Sequence, residues 1–125
     1  MNITFESLEL SSELLKALID MGFTLPTEVQ EKSIPVILKG QDVIVKSKTG
    51  SGKTAAFGIP LYQRLLSQAN LNEKPKALII TPTRELAVQV DIEMEKMGRY
   101  TDIKHTAVCG QHNIHEGYGL LGVLR

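Results

Sequence analysis

The densest chemistry in this sequence lies in one run, SKTGSGKT, comprising Ser47, Lys48, Thr49, Gly50, Ser51, Gly52, Lys53 and Thr54. Gly50 and Gly52 allow the backbone to wrap an anion with its N–H groups turned inward. Lys53 brings a positive charge to the β- and γ-phosphates of a nucleotide, and the Thr54 hydroxyl is placed to ligate Mg²⁺. A helix opening at Gly52-Lys53 adds the positive end of its dipole. The apolar Val43, Ile44 and Val45 precede the run and a helical pattern follows it, as a P-loop requires. The strict pattern has Gly at position 47, where this sequence has Ser. The Gly-Lys-Thr end, which makes the main contacts, is intact. A glycine-rich surface turn is the plain alternative, and the flanking strand and helix argue against it.

A second cluster invites a metal. His105, Cys109, His112 and His115 are zinc-ligand types. His105 and Cys109 lie four residues apart in or beside a strand, roughly 13 Å along the chain. Zinc ligands lie about 2.0–2.3 Å from one ion. Both cannot hold the same zinc unless the strand breaks, so Cys109 reads as a small core residue.

The elements that must position these groups follow from spacing and caps. Ser11 or Ser12 caps a helix to about residue 21, with Leu14, Leu15, Leu18 and Ile19 on one face and Gly22 as its stop. Thr27 caps a second helix carrying Val29, Ile34, Ile37 and Leu38, with Pro35 inside it and Gly40 at its end. Residues 42–46 read as a short buried strand, and the helix after the P-loop runs to about residue 68, with a kink near Pro60. Residues 77–81 read as a second strand. A helix follows from Arg84 to about residue 100, with Leu86, Val90, Met94 and Met97 inward. Residues 106–109 read as a third strand. This order predicts an α/β domain with a parallel sheet. Residues 111–125 hold Gly117, Gly119 and Gly122 and no strand alternation, so they read as an irregular tail.

The chain has 125 residues, enough for one small domain, and 42% of them are hydrophobic, enough for a packed core. Lys plus Arg (14) balances Asp plus Glu (14), so any nucleic-acid surface is a local patch. No apolar run approaches the roughly 20 residues of a membrane span. The N-terminus is not a secretory signal, and the single cysteine excludes an intramolecular disulfide. These features predict a cytoplasmic protein without a membrane partner.

SKTGSGKT, GFTLPTEVQ (22–30) and PTRELA (82–87), in this order, resemble the N-terminal RecA-like lobe of a DEAD-box RNA helicase. The resemblance covers about residues 3–110, with a Q motif over 3–31. The run TGSGKTAAFGIPL and the single Gly110 most resemble bacterial ribosome-assembly members. The resemblance implies a partial RecA-like P-loop NTPase domain over residues 1–110. It also implies ATP and Mg²⁺ as cofactors, RNA as partner, and ATP-driven RNA unwinding in the intact enzyme. In such a Q motif the Gln30 amide pairs with the adenine edge, Thr27 supports the P-loop, and Phe5, 17 residues before Gly22, stacks on adenine beside Phe23. By their types alone, Gln30 is a solvated helix residue and Phe5 a core anchor. Pro82, Thr83, Arg84 and Gly110 would contact the RNA sugar-phosphate backbone. A helix N-terminus with a guanidinium suits a phosphate, although a capped helix with Arg84 in water is the plain alternative.

The sequence also departs from the family. No Asp-Glu-x-Asp run exists to hold Mg²⁺ and position the attacking water. The second lobe with its arginine finger is absent. These residues alone are therefore expected to bind nucleotide without hydrolysing it. A non-catalytic adenine-nucleotide module is the alternative from another class, and another P-loop NTPase such as a kinase is a third. In RecA-like sheets later strands pair with the P-loop strand. Residues 42–46 are therefore expected to lack neighbours, and the isolated chain to be marginally stable or aggregating.

Overall fold

Leu14, Ala17 and Leu18 recur at helical spacing and lie on the buried side of the first helix. The computed structural model describes residues 3–68, 75–108 and the backbone of 121–124. A short 3₁₀ turn at Glu6–Leu8 leads into α1 (Ser12–Asp20), α2 (Glu28–Leu38), α3 (Lys53–Leu66), β1 (Ala77–Ile80), α4 (Arg84–Met97), β2 (His105–Val108) and β3 (Leu121–Leu124).

Caps explain where two helices start. The Thr27 side chain accepts the Gln30 N–H while the Gln30 side chain accepts the Thr27 N–H, a capping box at α2. Thr83 accepts the Leu86 N–H at the start of α4. Both α2 and α3 continue through an internal proline, Pro35 and Pro60. In α3 the buried Ile59, Tyr62 and Leu65 hold the helix on both sides of Pro60, which offsets the missing hydrogen bond.

The core gathers Leu14 and Leu18 of α1, Ile34 of α2, Ile59, Tyr62 and Leu65 of α3, and Met94 and Met97 of α4. The α3–α4 crossing is close because two glycines make room. A Cβ on Gly58 would lie 2.6 Å from Met97 Cε, and one on Gly98 would lie 2.6 Å from Tyr62 Oη. Tyr62 Oη donates to the Met94 carbonyl at 2.7 Å. Two residues expected inward face water instead: Ile19 is 68% exposed and Leu86 38%. Helical spacing places each on the edge of its helix's apolar stripe.

The sheet differs from expectation in two places. β1 and β2 run parallel to each other, but they are not neighbours. β3 lies between them and is antiparallel to both, with Ala77 opposite Leu124 and His105 also opposite Leu124. Residues 121–124, expected in an irregular tail, are therefore a strand. Between β1 and β2 they meet unpaired N–H and C=O groups on both sides, and that context outweighs a glycine-rich composition. Residues 42–46, expected as a strand, form none among the described residues. An extended apolar run becomes a strand only when a partner supplies its hydrogen bonds, and no described residue does so here. No helix among the described residues is long and apolar enough to cross a membrane.

Candidate nucleotide-binding site

The glycine-rich loop is shaped by its own backbone and by α2. Gly50 (φ +83°) and Gly52 (φ +89°) both occupy the left-handed region that favours glycine. Ser47 Oγ and Ser51 Oγ lie 2.7 Å apart, so the two serines close the loop across its neck. Gly52 is the N-cap of α3, and no side chain caps that helix. The first turn of α3 holds no acidic residue, whereas those of α1, α2 and α4 do. Lys53 stands there instead, exposed, with Thr54 half-buried behind it. A positive helix end and an exposed ammonium group stand together there, a combination that suits an anion.

The start of α2 is tied to this loop. Thr27 Oγ1 donates to the Ser51 carbonyl at 2.9 Å. Gln30 Nε2 donates to the Gly52 carbonyl at 3.3 Å, and Gln30 Oε1 accepts the Thr27 N–H at 3.0 Å. Gln30 is buried, so it is not the solvated helix residue that its type alone suggests. Each half of its amide still has one hydrogen-bonding position left over. On the outer face of α2, Lys32 donates to Glu28 at 2.9 Å. That hydrogen bond, and then the opposite charge, holds the Glu28 carboxyl below its usual range and the Lys32 ammonium above it.

The aromatic pair sits differently from a free stacking platform. Phe5 is only 2% exposed and belongs to the core. Its ring stacks on Phe23, with centroids 6.1 Å apart and planes at 25°. Phe23 is the more open of the two. The structure thus brings Thr27, Gln30, Ser51 and Gly52 into one hydrogen-bonded unit and pairs Phe5 with Phe23.

Pro82, Thr83 and Arg84 form a separate surface at the head of α4, all three exposed. No hydrogen bond joins them to the glycine-rich loop among the described residues. Gly110 lies outside the described residues, as do Cys109, His112 and His115 of the dismissed metal cluster. The fourth member, His105, has other partners. Its Nδ1 lies 2.7 Å from Asp91 Oδ1 and its Nε2 lies 2.9 Å from Glu95 Oε2. Asp91 and Glu95, four apart on α4, clamp β2 to that helix. Sequence reasoning missed this clamp, although an i, i+4 acidic pair beside an apolar stripe is its visible signal. Among the described residues no group of three or more His, Cys, Asp or Glu side chains is arranged to hold a metal.

Residues 27–122 match the family described as DEAD/DEAH box helicase. The chain is 52% identical over 108 residues to ATP-dependent RNA helicase DbpA of Bacillus subtilis, covering 86% of this chain and 22% of that protein. It is 43% identical over 111 residues to DEAD-box ATP-dependent RNA helicase RhpA of Helicobacter pylori, covering 89% of this chain and 22% of that protein. Among solved structures it resembles the RNA helicase Prp28 of Chaetomium thermophilum bound to ADP. The TM-score is 0.80 at 35% identity, over 93% of this chain and 29% of that one. A DEAD box protein from Methanococcus jannaschii gives a TM-score of 0.69 at 41% identity, over 78% of this chain and 26% of that one. The chain therefore spans about a quarter of the length of the relatives it matches.

Proposed function

This chain belongs to the DEAD/DEAH box helicase family, and we propose that it forms the adenine-nucleotide-binding part of an ATP-dependent RNA helicase. The observation that carries this reading is the double tether from α2 to the glycine-rich loop, Thr27 to Ser51 and Gln30 to Gly52. A base held by Gln30 and a polyphosphate held at the head of α3 would share one rigid unit.

In this reading the N–H groups of residues 48–53 and the Lys53 ammonium bind the phosphates, and the Thr54 hydroxyl faces Mg²⁺. ATP, when bound with Mg²⁺, supplies the phosphoanhydride whose cleavage drives RNA release in the intact enzyme. The remaining donor and acceptor of the Gln30 amide match adenine N7 and N6, and guanine presents the opposite pattern at its sixth position. Phe23 offers the base an apolar face, and Phe5 supports it from the core. Pro82, Thr83 and Arg84, with Gly110, take the RNA sugar-phosphate backbone, which gives sequence-independent contact. A cytoplasmic place fits the single cysteine in the sequence.

A second reading has its own support. The sequence holds no Asp-Glu-x-Asp run, so these residues would bind adenine nucleotide without hydrolysing it. Phosphate release by the 125-residue chain in the presence of RNA separates the two, and turnover would exclude the binding-only module.

The main test is calorimetric titration with ADP-Mg²⁺ and GDP-Mg²⁺, for the wild type and Gln30→Ala. We expect adenine-selective binding and loss of that preference in Gln30→Ala. Equal affinity for both nucleotides in the wild type would overturn the role of Gln30, and no binding of either would overturn the nucleotide site itself.

A further inference from the structure

The glycine-rich loop opens on Ser47, where the strict pattern has glycine. The backbone at this position does not require glycine. Among the described residues only Glu9 joins a positive φ to a side chain, so Ser47 lies in the region open to any residue. Its side chain makes one definite contact. Ser47 Oγ lies 2.7 Å from Ser51 Oγ, and either hydroxyl can donate. Ser47 and Ser51 are half-buried, whereas Lys48, Thr49 and Gly50 between them are exposed. The contact therefore ties the two ends of an exposed excursion.

We propose that Ser47 is a positioning residue for the polyphosphate, acting through Ser51, an inference that rests on the nucleotide-binding role of the loop. The helix α2 fixes only the far side of that loop. Thr27 Oγ1 holds the Ser51 carbonyl, and Gln30 Nε2 holds the Gly52 carbonyl. A trans peptide sets its N–H opposite its C=O. The Gly52 and Lys53 N–H groups are thereby turned away from Thr27 and Gln30. The near side has no such tie, because Lys48, Thr49 and Gly50 make no hydrogen bond among the described residues. Ser51 stands between Gly50 and Gly52, at φ +83° and +89°. Glycine is the most permissive backbone, so without a side-chain restraint Ser51 can swing and take the N–H groups of residues 50 and 51 with it. The Ser47 hydroxyl removes that freedom by tying the Ser51 side chain to the first residue of the loop. A loop fixed in advance is spared the cost of being ordered by its ligand. The hydroxyl at position 47 thus does by side chain what the glycine of the strict pattern cannot do.

The test is calorimetric titration of the 125-residue chain with ADP-Mg²⁺ and GDP-Mg²⁺, with a thermal melt of each variant to establish that it folds. Ser47→Ala is expected to weaken both nucleotides about fivefold and to leave their ratio at the wild-type value, because the loop holds phosphates and not the base. Ser51→Ala does the same. The double variant Ser47→Ala/Ser51→Ala binds no more weakly than either single variant, because the two hydroxyls serve each other. Ser47→Thr keeps the hydroxyl and restores wild-type affinity. Ser47→Gly returns the loop to the strict pattern, yet weakens binding about tenfold, since it loses the hydroxyl and frees the backbone as well. Wild-type affinity in Ser47→Ala or Ser47→Gly overturns the proposal and leaves the nucleotide site standing. So do single losses that add in the double variant, or a Ser47→Thr chain that binds like Ser47→Ala. A wild type that binds neither nucleotide overturns the nucleotide site, and the role of Ser47 with it.

Discussion

Gln30 Nε2 donates to the Gly52 carbonyl oxygen at 3.3 Å, so the residue that completes the capping box of α2 also holds the residue in front of α3. The approach is close on both sides. A Cβ built on Gly52 would lie 2.5 Å from Gln30 Nε2 and 3.0 Å from Thr27 Oγ1. Glycine is required at this position twice over, by its backbone angle and by its neighbour.

That double requirement separates two substitutions that sequence alone would rank together. Gly50→Ala meets nothing within 4 Å and bears only the strain of φ +83°, about 1–2 kcal/mol. Gly52→Ala bears similar strain and also displaces the Gln30 amide, adding about 0.5–1.5 kcal/mol for the lost hydrogen bond. Urea unfolding followed by circular dichroism should therefore rank Gly52→Ala as the more destabilised. Equal losses would mean that Gln30 simply rotates away and that the tether is not a constraint.

Thr27 tests the other strand of the tether. Thr27→Ala removes the N-cap of α2 and the hydrogen bond to the Ser51 carbonyl. The cap alone is worth about 1 kcal/mol. Freed from Thr27, the loop must be ordered by the nucleotide, and we expect affinity for ADP-Mg²⁺ to fall about tenfold, equivalent to ~1.4 kcal/mol. Thr27→Ser keeps the hydroxyl and should restore both stability and affinity. Thermal melts with and without nucleotide read both effects. If Thr27→Ser behaves like Thr27→Ala, the methyl group and not the hydroxyl is what matters.

These residues also mark what could be read in advance. Thr27 and Gln30, three apart before an apolar run, announce a capping box from spacing alone. Thr83 likewise announces the start of α4. The tether to Ser51 and Gly52 spans more than 20 residues of sequence, and no local pattern encodes such a contact. Phe5 illustrates a different limit. Its type suits both a stacking platform and a core anchor, and only the fold puts it in the core against Phe23. Strands were the hardest to read because each depends on a partner elsewhere in the chain. Residues 42–46 have the composition of a strand and lack its hydrogen bonds among the described residues, whereas 121–124 have a weak composition and two partners.

Tyr62 carries a prediction for alkaline pH. Its ring is buried and its hydroxyl donates to the Met94 carbonyl. Burial pushes the phenol well above its usual value, and the negative charges of Glu95 and Asp91 push it further. In the unfolded chain this tyrosine ionises near pH 10. Above that pH the unfolded state has lost a proton that the folded state keeps, so ionisation favours unfolding. The stability Tyr62 contributes is fully present below about pH 10 and is lost at roughly 1.4 kcal/mol per pH unit above it. Tyr62→Phe gives up the hydrogen bond to Met94, about 1 kcal/mol at neutral pH, and removes this slope. The hydroxyl of Tyr100 is also shifted upward, chiefly by its hydrogen bond to Asp20. Tyr100 is present in both chains and cancels in the difference. Urea midpoints measured from about pH 8 to pH 11 should therefore show the wild type losing stability faster than Tyr62→Phe above pH 10. Parallel losses in the two chains would mean that Tyr62 ionises as readily folded as unfolded, and that the α3–α4 crossing does not exclude water from its hydroxyl.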